Sequence, residues 1–355
     1  MKSLPELGKV HKDFLENIVL SKLNPKSDLI IGPKYGFDNG IIKIDDNKIM
    51  VIATDPISII PSLNIKDSAW LSVHLLASDI MTSGIKPIYA SINFNLPPEI
   101  QDSYFKKYWN HMINEFNYLD ISIVTGHTGR YDGCNYPIIG SGTLIGIGDK
   151  DQYVAPNMVD VGDNILLTKS AGIETTAVLS HIFPNVIKHK LGPQLLFKAQ
   201  KYVYMCSTYQ DSLLSTSIGI RNNGVTSMHD VTEGGVSGAL YELAIAMNHG
   251  IHVNKSSIPI SDETRKICSL FNLDPLETVS EGTLLITVKK NKTKDLIKLL
   301  NSKNISTTII GQVVPQNQGI YYFDNAGKTS LTSNISTNYW NCVSDSRAYR
   351  PKASR

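Results

Sequence analysis

Short β-branched runs alternate with apolar-periodic helical runs along nearly the whole chain, and that alternation leaves few folds open. "GIIKI", "KIMVIAT" and "ISIVTG" read as buried strands, each closing on a polar or glycine-bearing turn. "DSAWLSVHLLASDIMTS" places Trp70, Val73, Ala77 and Ile80 on one stripe, which predicts a helix capped by Asp67 and ended by Gly84 and Pro87. "YPIIGSGTLIGIGD" reads as a further strand, with glycines where backbones pass closely. A second succession follows: strand "NILLTK", a helix from Glu174, a long helical stretch from Gln194 to Ile220, strand "TLLITV", helix "KTKDLIKLLNSK" and strand "STTIIGQVV". Strands alternating with helices in both halves mean an α/β or α+β architecture.

The chain has 355 residues, more than one core usually serves, so two domains are expected. The pattern breaks at "GDKDQYVAPNMVDVGD", a polar, proline-bearing segment that divides the chain into residues 1–150 and 151–330. Residues 331–355 read as an irregular, loosely attached tail. A net charge of +2 gives no long-range pull toward nucleic acid or an acidic membrane, so neither partner is expected. Four cysteines stand far apart with no CxxC, which implies neither a zinc site nor a disulfide framework and points to the cytoplasm. The first twenty residues carry charges throughout, unlike a signal peptide, and no apolar run reaches membrane-spanning length.

Chemistry is expected where acids interrupt these elements. Asp38 lies in the glycine-flanked turn "YGFDNG", Asp55 follows the strand "KIMVIAT", and Asp79 sits near the C-terminal end of an apolar helix. A carboxylate there opposes the helix dipole unless a cation, a neighbouring serine or a backbone amide offsets it. Magnesium takes one or two carboxylates together with substrate phosphates, and three aspartates at element ends can supply such ligands. Asp45 and Asp46 read as turn formers, and His74 as a packed core histidine. "VTGHTGR" reads as a strand ending in a glycine loop around Gly126, His127 and Thr128, either an anion cradle or an ordinary tight turn. No Walker A pattern occurs.

In the second half, Lys169 at the end of "NILLTK" can reach a phosphate as a point charge or remain solvated. "MHDVTEGGVSGALYELA" joins His229, Asp230, Glu233, Gly234 and Gly235 to the start of a helix. The glycines allow close backbone approach, the helix start offers N–H groups to an anion, and Asp230 and Glu233 can hold a metal or act as general base. Capping by Thr232 or Asp230 is the plainer reading of the same stretch. Glu281, in "SEGTLLITV", repeats the acid–glycine theme before a strand.

Together, "GFDNG", "ATDPI", "WLSVHLLASDIMTSGIKP", "VTGHTGR", "HDVTEGGV" and "SEGTL" resemble, in this order, the superfamily of AIR synthase (PurM), HypE, selenophosphate synthetase, thiamine-monophosphate kinase and PurL. The resemblance runs from Gly32 to Val314 and is nearest to archaeal-type AIR synthase-related, HypE-like proteins. It implies a PurM-like two-domain fold: an N-terminal domain that pairs with its twofold mate into a dimeric β-barrel, and a C-terminal α/β domain. It also implies ATP and Mg2+ as cofactors and phosphoryl transfer to an oxygen or nitrogen of a small-molecule or protein-bound acceptor. The alternative is a catalytically reduced ATP-binding accessory protein assisting metallocentre assembly with a maturation partner. By position, the resemblance makes Asp38, Asp55 and Asp79 metal ligands. Asn39, Thr54, Gly126, His127, Thr128, Gly234 and Gly235 become nucleotide contacts, and His229, Asp230, Glu233, Glu281 and Lys169 catalytic groups. His127 and Asn39 stand where relatives often carry acids, and Glu233 stands where HypE has arginine. The chain ends "WNCVSDSRAYRPKASR", with Cys342 internal, whereas HypE uses a terminal cysteine for its own reaction.

Overall fold

The computed structural model describes residues 4–5, 7–325, 327–332 and 338–344. Its strands are β1 (Leu29–Ile31), β2 (Gly40–Lys43), β3 (Lys48–Ser58), β4 (Pro87–Leu96), β5 (Ser122–Arg130), β6 (Ile138–Asp149) and β7 (Asn164–Thr168) in the first part. They continue as β8 (Val225–Asp230), β9 (Gly250–Asn254), β10 (Leu284–Val288), β11 (Thr307–Val314), β12 (Ile320–Asp324) and β13 (Gly327–Ser330). Two sheets result: a six-stranded one in the order β1-β2-β3-β6-β4-β5, and a seven-stranded one in the order β13-β12-β9-β11-β7-β10-β8. This is the expected mixed α/β class.

The first sheet packs one face against helices Ile65–Met81 and Asp102–Tyr118. Alternation in β3 sends Ile49, Val51, Ala53 and Ile57 into that core, beside Val73, Leu76, Ala77 and Ile80 of the first helix. The other face leaves Tyr89, Val124 and Ile147 exposed. The second sheet is covered on both faces, which is why its middle strands read as unbroken apolar runs. Ile165, Leu167 and Leu285 meet the Gly235–Ala246 helix, while Leu166, Leu284 and Ile286 meet Leu296 and Leu300 of the Thr293–Ser302 helix.

Several local expectations are corrected. Asn64, not Asp67, caps the Ile65–Met81 helix: its side chain accepts from the Asp67 N–H, and Asp67 in the first turn receives hydrogen bonds from Asn64 and the Tyr204 hydroxyl. The stretch 194–220 is not one helix. It breaks into Pro193–Gln200, a 3-10 turn at Lys201–Met205 and Tyr209–Thr216. The break lets the Ser207 carbonyl turn toward Lys169, whose ammonium it receives at 2.7 Å. The tail contains a helix, Asn338–Ser344, whose Tyr339 and Val343 are buried in a core cluster, so this part is neither irregular nor loosely attached. Of the rest of the tail, Leu331 is buried in a core cluster, and residues 333–337 and 345–355 lie outside the described residues. Among the described residues, no helix is long and apolar enough to cross a membrane.

Candidate active site

The site grows from the end of β8. His229 and Asp230 are the last two residues of that strand, both buried. The chain then reverses through Gly234 and Gly235, at φ +84° and +60°, into the Gly235–Ala246 helix. Gly235 also lies so close to a neighbouring loop that an added Cβ would stand 2.6 Å from the Leu276 and Thr278 carbonyl oxygens. The helix is capped by neither Thr232 nor Asp230: Gly234 is the N-cap, with no side-chain hydrogen bond. A left-handed residue at the cap leaves the acids free for other partners.

His229 joins the two halves of the chain. Its Nδ1 lies 2.7 Å from Asp38 Oδ1, in the turn before β2, and its Nε2 lies 3.3 Å from Glu242 Oε2 on the helix that follows. Burial would by itself lower the imidazole's pKa, but the Asp38 and Glu242 carboxylates override it and raise it to about 10. His229 is therefore an imidazolium clamped between two carboxylates. Asp38, His229 and Asp230 each bring a possible ligand atom within 4.8 Å of the others.

Around this clamp the acids crowd one another. Burial raises Asp55 to about 6, and burial followed by the charge of Asp38 raises Asp230 to about 7. Asp79 and Glu281 are also pushed well up, first by burial and then by Asp55 and Asp230 respectively. Glu174 rises to about 8 through burial and then Glu233. Carboxylates that repel one another in a closed space call for cations. Asp230 Oδ2 and Glu281 Oε2 are buried without a hydrogen-bond partner. A pure-oxygen donor set with orphaned carboxylate atoms fits a hard divalent cation such as magnesium and suits no soft metal.

The remaining expected residues divide. Glu233 accepts a 2.7 Å hydrogen bond from the Lys9 backbone N–H and lies beside Glu174. Lys169 is neither solvated nor free: it pairs with Asp211 at 2.9 Å and donates to the Ser207 and Gly282 carbonyls. Asn39 donates to the Asp79 carbonyl at 3.1 Å and to Thr82 Oγ1 at 2.9 Å, closing the end of the helix that carries Asp79. Asp55 lies inside β3, not after it, and Thr54 points to the opposite, exposed face, where its hydroxyl meets Thr143 at 2.9 Å.

Gly126, His127 and Thr128 lie within β5, so the expected glycine loop is a strand. Gly126 is required by close approach: a Cβ there would stand 2.2 Å from the Ile92 carbonyl oxygen. In register, Asp55, Gly142, Ile92 and Gly126 lie in one row across β3, β6, β4 and β5. Three strand spacings, about 14 Å, therefore separate this motif from the acid cluster within one chain. His127 is exposed and bonds the Tyr131 hydroxyl at 2.6 Å.

Sequence reasoning missed Glu242, Glu174, Asp211 and Lys9. Glu242 had one signal, a lone acid in the apolar run "GVSGALYELAIA". Lys9 had none.

Comparison with known proteins accounts for most of the chain. Residues 36–147 match the model of the AIR synthase related protein N-terminal domain, and residues 160–323 match that of the C-terminal domain. A putative hydrogenase expression/formation protein of Methanocaldococcus jannaschii is 27% identical over 321 residues, covering 88% of this chain and 90% of that protein. The carbamoyl dehydratase HypE of Escherichia coli is 25% identical over 253 residues, 69% of each chain. A crystal structure of the hydrogenase maturation protein HypE in complex with ATP superposes with a TM-score of 0.62 at 20% identity, covering 92% of this chain and 94% of that one. That likeness establishes the PurM-like two-domain fold.

Proposed function

Because this chain belongs to the AIR synthase related family, we propose that it is a magnesium-dependent enzyme that binds ATP and passes its terminal phosphoryl group to an oxygen or nitrogen of an acceptor. The observation that carries this reading is the gathering of Asp38, Asp55, Asp79, Asp230 and Glu281 into one mutually repelling group between the two halves. Phosphoryl transfer asks mainly for positioning and charge neutralisation, and that is what such a group provides.

In this reading Asp38, Asp55, Asp79 and Asp230 hold the metal, which when bound neutralises phosphate charge and orients the polyphosphate. His229 keeps Asp38 and Glu242 in place. Glu281, whose pKa burial and then the charge of Asp230 push upward, is suited to exchange a proton with the acceptor atom. Residues 1–150 form the nucleotide-binding and dimerising half, and residues 151–330 the acceptor half. The exposed face bearing Tyr89, Val124 and Ile147, with β5 at the sheet's edge, supports a homodimer in which Gly126, His127 and Thr128 of the partner complete the nucleotide site. Cys134, Cys206 and Cys268 are free thiols, which supports a cytoplasmic setting.

A second reading, an ATP-binding accessory protein acting with a maturation partner, is favoured by Asn39 and His127, whose side chains are engaged with Thr82 and Tyr131. Incubation with ATP and magnesium, with and without candidate acceptors, separates the two. Acceptor-dependent ADP release supports the enzyme. ATP binding without any release supports the accessory protein.

A further inference from the structure

A cavity of about 50 Å³ lies where the two halves meet, walled by Pro56 and Leu75 of the first half, Glu174 of the second and Trp340 of the tail helix. Leu71 and Pro137 add to its apolar lining. Each wall is continuous with the acid cluster. Pro56 follows Asp55 along β3, and Glu174 lies in the first turn of the helix Ile173–Ile182. The start of that helix is tied to the loop that carries Glu281. The Gly172 N–H donates to Ser280 Oγ at 2.7 Å, and the Thr175 N–H and hydroxyl donate to the Val279 carbonyl at 3.2 and 2.8 Å.

Among the described residues, Glu174 is the only charged side chain in this lining, and its Oε2 is buried without a hydrogen-bond partner. A buried carboxylate oxygen that no donor meets is costly, so a fold that keeps one has left a place for a donor. Trp340 turns its Cδ1–Nε1 edge to Gly8, where an added Cβ would stand 3.0 Å away, and its indole also walls the cavity. An aromatic ring and a carboxylate between apolar walls suit an organic cation: the carboxylate takes the charge, while the ring and the aliphatic groups take the carbon stem.

We infer that this cavity is a recognition pocket for the acceptor, and that it takes a protonated amine on a short apolar stem, with Glu174 as the counter-ion. The inference rests on the phosphoryl-transfer reading above and narrows its acceptor to molecules that carry an amine apart from the atom receiving phosphate. A cavity this small holds the ammonium and part of its stem. The rest of the acceptor, with its reacting atom, lies outside, toward Asp55 and Glu281.

The test titrates n-propylammonium, propan-1-ol and propionate, which share a stem and differ in charge, into the full-length protein and follows the probes by NMR. The wild type is expected to bind propylammonium about tenfold more tightly than propan-1-ol, the margin that a hydrogen bond to a charged group supports, and propionate not at all. Glu174→Gln, which keeps the shape and removes the charge, should bind the amine and the alcohol alike. Leu75→Phe, which fills the cavity from the opposite wall, should bind neither. Failure of the wild type to prefer the amine, or a preference that survives in both variants, overturns the inference and leaves the metal–nucleotide reading intact. A wild type that prefers the amine but does not bind ATP in magnesium has an amine site that serves no phosphoryl acceptor, which overturns the inference together with that reading.

Discussion

His229 Nδ1 meets Asp38 Oδ1 at 2.7 Å, and this contact ties the last strand of the second sheet to a turn of the first half. The imidazolium is shared with Glu242, so three charges, of which His229 and Glu242 are buried, form one unit whose middle member belongs to the motif "HDVTEGG". A cation placed so deeply among acids fixes where the two halves meet and lets the neighbouring aspartates face one another.

Removing one outer member of that unit exposes its worth. Glu242→Leu leaves His229 with one carboxylate and Lys9 without its ion-pair partner. The expected loss of stability is about 3 kcal/mol, as for other broken buried pairs. Urea denaturation of the metal-free protein measures it, and an unchanged midpoint would remove Glu242 from the clamp.

Asp79→Asn carries two opposite expectations. Without metal the variant should melt at a higher temperature than the wild type, because burial and the charges of Asp55, Asp230 and Asp38 penalise the Asp79 carboxylate. With magnesium and ATP present it should bind nucleotide roughly tenfold or more weakly, having lost one anionic ligand. Thermal melts in EDTA and titrations in magnesium read the two arms. A lower melting temperature in EDTA, or unchanged affinity in magnesium, contradicts the assignment.

The buried His74 supplies a pH dependence away from the site. Its ring stacks on Trp70 with centroids 4.0 Å apart, its Nδ1 meets Ser207 Oγ at 2.9 Å, and burial pushes its pKa down to about 4. Glu115, 3.6 Å from Nε2, does not offset that burial. The folded value lies below the unfolded one of about 6.5, so the unfolded chain takes up the proton first. His74's contribution to stability is complete above pH 6.5 and is lost as the pH falls toward 4. Melting temperatures of the wild type and His74→Leu across that window test this: the variant should show the shallower decline, and parallel curves would contradict it.

What could be read from the sequence, and what could not, follows from the range of the interactions. The strand at Leu284–Val288 is legible because both its faces are buried, leaving an unbroken apolar run. Asp38, Asp55, Asp79 and Asp230 are conspicuous because carboxylates interrupt such runs. Glu242 and Lys9 escape notice because their partners are tertiary: nothing near Lys9 in sequence announces a carboxylate 233 residues away. "TGHTG" misleads for a different reason. Glycine serves both turns and close-packed strands, and only the position of the Ile92 carbonyl distinguishes the two at Gly126. The capping expectation for Thr232 fails likewise, because Gly234 in the left-handed region starts the helix without a side-chain cap.

Gly126→Ala follows from that close approach. The added methyl must displace the β4–β5 pairing, at a cost of about 1–3 kcal/mol. A denaturation midpoint equal to the wild type's would show that the strand, as described, is not packed this closely.

The central claim is that the carboxylates between the two halves hold a magnesium–ATP complex. Calorimetric titration of ATP into the wild type and the Asp55→Asn/Asp230→Asn double variant, each in magnesium and in EDTA, tests it most directly. The account predicts binding by the wild type in magnesium alone, and its loss in EDTA and in the folded double variant. Equal ATP affinity in EDTA, or undiminished affinity in the variant, would contradict it.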